Sequence, residues 1–149
     1  MITIPYYETS NFVFSNFSAH TVKVGGVQYP TVEHAFHAQK FDNEQLREQI
    51  LHSGSPLAAW KLAHELKPQR RADWDSVKVA VLTDIIRAKV SQHSDVMSAL
   101  LATGDEEIVE INPNDDFWGN GADGNGQNQN RKALNENPRR VNTRRTTWF

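Results

Sequence analysis

The sequence contains no cysteine in its 149 residues. This absence excludes a disulfide framework, a thiolate zinc site and a cysteine nucleophile. No apolar run approaches the roughly 20 residues that a membrane helix needs. The first residues, MITIPYYETS, lack the basic segment and long apolar core of a secretory signal. We therefore expect a cytoplasmic protein with no membrane segment, whose residues 1–149 form a single domain.

The sequence also lacks a large excess of either charge, since its net charge is only −2. Its positive and negative residues are nevertheless unevenly distributed along the chain. Residues 105–123 contain aspartates and glutamates and no lysine or arginine, whereas residues 131–149 are basic apart from Glu136. The segment 135–149 is therefore a candidate basic tail, with Arg139, Arg140, Arg144 and Arg145 and an aromatic Trp148. Such a tail could contact a polyanion such as DNA, remain in solvent, or dock on the acidic segment.

Hydrophobic periodicity predicts an α+β fold that is predominantly helical with a small antiparallel β element. TVKVGGVQYPT alternates apolar residues across a Gly-Gly pair, which predicts a hairpin. Thr31 and Ser55 are suited to cap helices that follow them. The predicted helices are VEHAFHAQKF, 43–52, 56–66, 76–93, 95–102 and a short RKALNEN segment, with EEIVEI as a strand. The apolar stripe expected on helix 76–93 consists of Val77, Ala80, Val81, Ile85, Ala88 and Lys89.

The helix VEHAFHAQKF combines four ionisable side chains with aromatic residues. At 100° per residue, Glu33, His37 and Lys40 share one face, with Phe36 and Phe41 at its flanks. Burying these groups is costly unless they pair, and such surroundings shift pKa values toward catalytic ranges. The alternative is an exposed polar stripe with an ordinary pair four residues apart.

Glu33, His34 and His37 also resemble part of a metal-binding motif. Their order is E-H-x-x-H rather than H-E-x-x-H, and the sequence offers no obvious further ligand. We expect neither a metal nor a cofactor.

The stretch RRADWDS precedes the long predicted helix. Arg70 and Arg71 could clamp a phosphate, and Asp73 or Asp75 could favour the helix start. Trp74 could equally be an anchor of the core.

The segment NDDFWGNGADGNGQNQN, residues 114–130, has no helical or strand period. Gly119, Gly121 and Gly124 spell the dinucleotide-binding pattern GxGxxG, but no strand leads directly into them and no βαβ unit surrounds them, so a Rossmann site is excluded. Glycines let a backbone approach a ligand, successive amides can cradle an anion, and Trp118 can stack on a flat ring. The alternative is a disordered turn.

Three blocks carry a resemblance to a known family. They are FSNFSAHTVKVGGVQYPTVEHAFHAQKF, RRADWDSVK and LLATGDEEIVEINPNDDFWGNGADGNGQN. Together they resemble the NADAR family of YbiA-like N-glycosidases, from about Asn11 to Leu134. The resemblance implies a hydrolase that cleaves a ribose C1–nitrogen bond, acting on phosphorylated early riboflavin intermediates or on guanine that carries N-linked ADP-ribose, in nucleotides or DNA.

The resemblance also implies functional residues. It assigns catalytic positions to Glu33, Lys40, Trp74 and Asp115, and substrate-binding positions to Asn16, Phe17, Trp118, Gly119, Gly121, Gly124 and Asn128. Reasoning from the residues adds His37, Arg70 and Arg71 to the binding set. Glu33 or Asp115 would be the base or electrostatic stabiliser, Trp74 or Trp118 would stack on the leaving base, and Lys40 would contact phosphate or form a Schiff base. After Asn128 the sequence departs from the family pattern, which leaves the substrate open.

Two other functions compete with the glycosidase. One is a non-catalytic module that binds ADP-ribose or a nucleotide, and the other is a nucleic-acid-binding protein that uses the arginine-rich tail. The glycosidase hypothesis expects the acid and amine of the first helix and the glycine-rich segment to form one cleft around a phosphorylated sugar.

Overall fold

A computed structural model describes residues 1–5 and 12–137, and helices outweigh strands in it. The strands are β1 Ile2–Pro5, β2 Val22–Val24, β3 Val27–Tyr29 and β4 Ile108–Ile111. The α-helices are α1 Val32–Ala38, α2 Glu44–Leu51, α3 Pro56–Glu65, α4 Trp74–Gln92, α5 Ser94–Ala102 and α6 Lys132–Asn135. Short 3₁₀ turns cover Phe12–Phe14, Lys67–Gln69 and Gln129–Arg131. The predicted α+β class and its helical majority are confirmed. The arginine-rich residues 138–149 lie outside the described part of the chain.

The predicted hairpin is formed by β2 and β3. The strands are antiparallel, with Val22 opposite Tyr29 and Val24 opposite Val27. Gly25 and Gly26 connect them with φ of 57° and 81°. Two successive positive φ angles are the signature of the tight turn that matches strand twist, and glycine adopts them without a Cβ penalty.

Side-chain caps set the helix starts. Thr31 Oγ1 accepts the His34 amide at 3.2 Å, and Ser55 Oγ accepts the Ala58 amide at 3.0 Å. Asn43 Oδ1 accepts the amide of Gln45 at 2.9 Å. Each cap satisfies an amide that has no partner within its helix. The predicted caps at Thr31 and Ser55 are confirmed.

The pairing of β1 with β4 was not predicted. The two strands run parallel, with Ile2 opposite Ile108 and Ile4 opposite Glu110.

The apolar stripe predicted for α4 is wrong in part, because Ala80 is exposed while Leu82 and Ile86 are buried. Burial favours the larger side chains, since the stabilisation scales with the apolar area removed from water.

Residue contacts divide the chain into two compact units. One comprises residues 16–89, and the other comprises residues 1–15 with the segment from residue 90 onward. Ala35, Phe41 and Ile50 are fully buried in the first of these, and Ile4 and Ile108 are fully buried in the second. No helix within residues 1–5 and 12–137 is long and apolar enough to cross a membrane.

Arg131, which follows the glycine-rich segment, forms a buried ion pair with Glu110 of β4. Arg131 is 2% exposed, its Nη1 donates to the carbonyl of Phe14 at 2.7 Å, and its Nη2 donates to the Glu110 carboxylate. Both charges are taken out of water, so each depends on the other for compensation.

We predict that Arg131→Ala lowers the free energy of unfolding by about 3–5 kcal/mol, because Glu110 would remain as a buried charge without its partner. Chemical denaturation followed by circular dichroism measures the change. Lys132→Ala, at an exposed neighbour, should stay within about 0.5 kcal/mol of wild type. A double change of Arg131→Met with Glu110→Leu should be milder than Arg131→Ala alone, and the opposite order would contradict the explanation.

Candidate active site

Helix α1 positions the carboxylate of Glu33 in its first turn. Thr31 caps the helix, and the Glu33 amide donates to the carbonyl of Asn16 at 3.1 Å. Asn16 is itself buried and its neighbour Phe17 is half-buried. The SNF segment therefore supports the first turn of α1 through its backbone.

Glu33 and His37 form an almost buried pair. His37 Nε2 lies 2.7 Å from Glu33 Oε1, and the two side chains are 3% and 13% exposed, in that order. Burial lowers the pKa of His37, and the neighbouring Glu33 opposes that shift. A neutral His37 donates from Nε2 to the Glu33 carboxylate. Its Nδ1 is then an acceptor, and this buried atom has no hydrogen-bond partner. The pairing predicted from sequence is present, and it is not an exposed stripe.

Lys40 follows the end of α1 and lies near two aromatic rings. Its Nζ is 5.6 Å from the centroid of Phe36 and 5.9 Å from that of Trp74. Burial lowers the pKa of Lys40 to about 8, against the opposing effect of Glu33. The positive charges of Arg70, Lys67 and Lys78 lower this pKa further. Part of the Lys40 population is therefore a neutral amine near physiological pH.

Trp74 forms a wall beside this lysine. It is 3% exposed, and its ring lies 5.1 Å from Phe36 at an interplanar angle of 55°. The amide of Arg71 donates to the carbonyl of Lys40 at 2.8 Å, which ties the RRADW segment to the end of α1. Trp74 is thus a buried anchor that also borders Lys40.

The two arginines of this segment have acidic partners. Arg71 forms a two-pronged pair with Asp73 at 2.6 and 2.8 Å, and Arg70 lies 3.4 Å from Asp75. The longer contact leaves Arg70 the more available guanidinium for an anion. Its charge also acts on Lys40.

His34 has a structural explanation. Its Nδ1 lies 2.8 Å from Thr31 Oγ1 and its Nε2 lies 3.0 Å from the carbonyl of Ser53. Both ring nitrogens therefore already have partners. In residues 1–5 and 12–137, no three His, Asp or Glu side chains are grouped so that they could hold a metal ion.

The glycine-rich segment lies in the other compact unit and is held by its own hydrogen bonds. Asp115 Oδ1 accepts the amides of Phe117 at 3.0 Å and Trp118 at 2.8 Å. Asn128 reaches β4, donating to the carbonyl of Ile108 at 2.8 Å and accepting the Glu110 amide at 2.9 Å. These contacts give Asp115 and Asn128 definite roles in shaping the segment.

Two of the glycines are required by the local geometry. A Cβ at Gly119 would lie 2.7 Å from the Cβ of Asn112, and Gly121 has φ of 69° with a virtual Cβ 3.0 Å from that of Asp116. Gly124 also has positive φ, at 79°. Trp118 is half-buried, with its ring 4.7 Å from Phe117. Close packing at Gly119 and positive φ at Gly121 and Gly124 account for these three glycines without a ligand.

Sequence reasoning missed an aromatic pair on α3. Trp60 is 42% exposed, its ring lies 4.0 Å from that of His64, and His64 lies 6.2 Å from His37. A tryptophan four residues before a histidine in a helical pattern was the available signal. The His37 contact could not be read from the sequence, because it joins α3 to α1.

Comparison with known proteins identifies relatives. The NADAR domain model matches residues 3–139. N-glycosidase YbiA of Escherichia coli strain K12 is 41% identical over 128 residues, which cover 85% of this chain and 80% of that protein. An N-glycosidase of Nostoc punctiforme is 38% identical over 124 residues, which cover 81% of this chain and 80% of that protein.

Other relatives include a longer protein and a solved structure. A riboflavin biosynthesis protein of Vibrio vulnificus is 38% identical over 115 residues, covering 77% of this chain and 31% of that protein. The NMR structure of Escherichia coli YbiA matches with a TM-score of 0.82 and 35% identity, covering 99% of this chain and 89% of that one.

We predict that Lys40 reacts with an acylating reagent at lower pH than an ordinary lysine. Its rate of labelling should reach half its maximum near pH 8, because burial disfavours the ammonium form. Mass spectrometry of peptides after competitive labelling measures this, with exposed Lys23 as the internal reference.

Glu33→Gln provides the matched control. Glu33 raises the pKa of Lys40, so removing its charge should move the labelling midpoint to a still lower pH. A midpoint near the ordinary value of roughly 10.4 would contradict this description of the Lys40 environment.

Proposed function

This chain belongs to the NADAR family, and from that membership we propose that its α1 site hydrolyses the bond between ribose C1 and nitrogen in a phosphorylated ribosylamine. The observation that carries the proposal is the grouping of an almost buried carboxylate, Glu33, with the low-pKa amine of Lys40. The chain is a hydrolase acting on N-glycosyl bonds, as its curated relatives are. The further details, namely the substrate and the residue roles, are part of the proposal.

Glu33 is proposed as the carboxylate of the reaction. Loss of the nitrogen from C1 develops the positive charge of an iminium at C1, which a nearby fixed negative charge stabilises. His37 donates to Glu33 from within the protein, and this bond holds the carboxylate in one orientation. Burial strengthens its electrostatic effect because little water screens it.

Asp115 is proposed to shape the glycine-rich segment rather than to react. One of its oxygens already accepts two backbone amides, as a capping residue does. This assigns the two candidate carboxylates different roles.

Lys40 is proposed as a nucleophile. A pKa lowered from 10.5 to about 8 increases the neutral amine at pH 7 roughly 300-fold. A lysine that only contacts phosphate gains nothing from losing its proton, whereas amine chemistry requires it. The surrounding charges of Arg70, Lys67 and Lys78 would serve to attract the phosphate.

The proposed steps conserve atoms and charge. The substrate N–H proton moves to the ring oxygen, which opens the ribose to an imine at C1. The neutral Lys40 amine adds to C1, and a proton passes through Glu33 to the leaving nitrogen, whose bond to C1 then breaks. Water adds to the resulting Lys40 Schiff base and hydrolyses it, which releases the free sugar and restores the amine.

Two substrates are proposed for this chemistry, a phosphoribosylamino-pyrimidine of early riboflavin synthesis and N-linked ADP-ribose on guanine, either in a nucleotide or in DNA. Both attach the sugar through nitrogen and carry phosphate. The relative of Vibrio vulnificus, named a riboflavin biosynthesis protein, supports the first. A purely binding module is less consistent with the site, because the Glu33 carboxylate would repel a phosphorylated ligand.

We predict that the purified protein releases free sugar phosphate from the phosphoribosylamino-pyrimidine, or free ADP-ribose from a DNA oligonucleotide with ADP-ribosylated guanine. Mass spectrometry of the products measures release from each. Glu33→Gln should lower kcat by roughly 10²–10⁴-fold on the cleaved substrate, the range for loss of a general acid or base.

Two matched variants accompany Glu33→Gln. Asp115→Asn keeps an oxygen that can accept the two amides, so kcat should stay near wild type. Glu48→Gln removes an exposed carboxylate of α2 and should be silent. Release of sugar by none of the proteins from either substrate would refute the proposed reaction, and a folded Glu33→Gln with normal kcat would remove Glu33 from it.

We predict that borohydride traps substrate on Lys40. Reduction of the Schiff base during turnover should add the mass of the reduced sugar to the peptide that contains Lys40. Lys40→Ala should abolish the adduct, while Lys23→Ala, at an exposed lysine of the hairpin, should keep it. An adduct that persists in Lys40→Ala, or active enzyme that forms none, would contradict the nucleophilic role.

A further inference from the structure

We propose that Trp60 and His64 on α3 form a second substrate-binding surface, which stacks against the flat base that leaves the ribose. The inference rests on the proposed function, since it names the part of the same site that would hold the leaving group. It assigns a binding role to two residues outside the set predicted from sequence.

The pair has the geometry of an open stacking surface. The rings of Trp60 and His64 lie 4.0 Å apart at an angle of 32°. His64 Nδ1 donates to the carbonyl of Trp60 at 2.8 Å, which fixes the orientation of the imidazole on the helix. A flat base can therefore stack on rings that are already ordered, with little loss of side-chain freedom.

Exposure distinguishes Trp60 from the other aromatic residues near the site. Trp60 is 42% exposed, whereas Trp74 is 3% and Phe36 is 8% exposed. Among the described residues, no other tryptophan, tyrosine or phenylalanine is as exposed as Trp60. A buried ring cannot offer an open face to a ligand, so Trp74 is suited to bordering Lys40 and Trp60 to stacking on a base.

A series of side-chain contacts connects the Trp60–His64 pair to the reactive groups. His64 lies 6.2 Å from His37, and His37 contacts Glu33 at 2.7 Å. These contacts form a series from the Glu33 carboxylate to the exposed rings, through His37 and His64 to Trp60. A ribosylamine whose C1 lies beside Glu33 would extend its base along this direction while its phosphate meets the cations around Lys40.

Helix α3 explains how the surface is presented. The helix buries the small side chains Ala59 and Ala63, whereas Trp60 remains 42% exposed. Stacking on a nucleobase is tolerant of base identity, because every base presents a π face. The surface would therefore set affinity for a base-bearing substrate rather than choose one base.

The test compares a ligand that has a base with one that lacks it. Isothermal titration calorimetry would measure binding of guanosine 5′-monophosphate and of ribose 5-phosphate to wild type, Trp60→Ala and Trp60→Phe. We expect Trp60→Ala to weaken guanosine 5′-monophosphate roughly 5- to 150-fold and to leave ribose 5-phosphate unchanged. Trp60→Phe should recover part of the loss, which a purely structural effect would not do.

Leu57→Ala is the matched control, because Leu57 is a 48% exposed apolar residue of the same helix. This variant should leave the affinity for both ligands unchanged. Equal weakening of both ligands by Trp60→Ala, or no preference of wild type for the base-bearing ligand, would overturn the proposal. So would unchanged binding of both in Trp60→Ala.

Kinetics separates this proposal from the proposed function. On whichever ribosylamine is cleaved, Trp60→Ala should raise KM with kcat unchanged, the pattern for lost uniform binding. If wild type cleaves nothing yet Trp60→Ala selectively loses guanosine 5′-monophosphate, the reaction is wrong and the surface stands. If wild type cleaves the substrate and Trp60→Ala changes neither KM nor binding, the surface alone is wrong.

Discussion

The bond between Glu33 and His37 is the constraint on which the α1 site depends. A carboxylate that is 13% exposed loses most of its hydration, so it remains charged only where polar neighbours compensate. His37 can give that compensation with a hydrogen bond while it stays neutral, since burial lowers its pKa. The direct partner of the Glu33 carboxylate is therefore a neutral donor rather than a buried cation.

Burial and a neighbouring charge also have opposing effects on the pKa of Lys40. Burial disfavours its ammonium form, and the negative charge of Glu33 favours it. Burial is the larger effect, so the pKa falls to about 8 rather than rising. If Glu33 lay in direct contact with Lys40, the pair would hold the proton on the amine. The Glu33 carboxylate instead has its close contact with His37 Nε2, at 2.7 Å.

The sequence predicted those features of the site that depend on residues close together in the chain. It could not predict contacts between residues far apart in the chain. The spacing of Glu33, His37 and Lys40 on one helix, and the caps at Thr31 and Ser55, depend on neighbours within a few residues, so periodicity reaches them. The parallel pairing of Ile2 with Ile108 joins residues far apart in sequence, and ITIP is too short to signal it. Periodicity likewise predicted that Ala80 is buried. In the structure Ala80 is exposed, and the larger Leu82 and Ile86 are buried on α4 instead. The ring contact of His37 with His64 crosses between helices and has no sequence period at all.

The glycine-rich segment shows why motif and role must be argued separately. Its pattern suggested an anion cradle, yet Asp115, Asn128 and Gly119 are already explained by hydrogen bonds and packing within the segment and against β4 and Asn112. A backbone closed on itself in this way needs those residues even with no ligand present. The residues that fix the shape of a site and those that touch its ligand follow different physical demands, and a shared motif does not distinguish them.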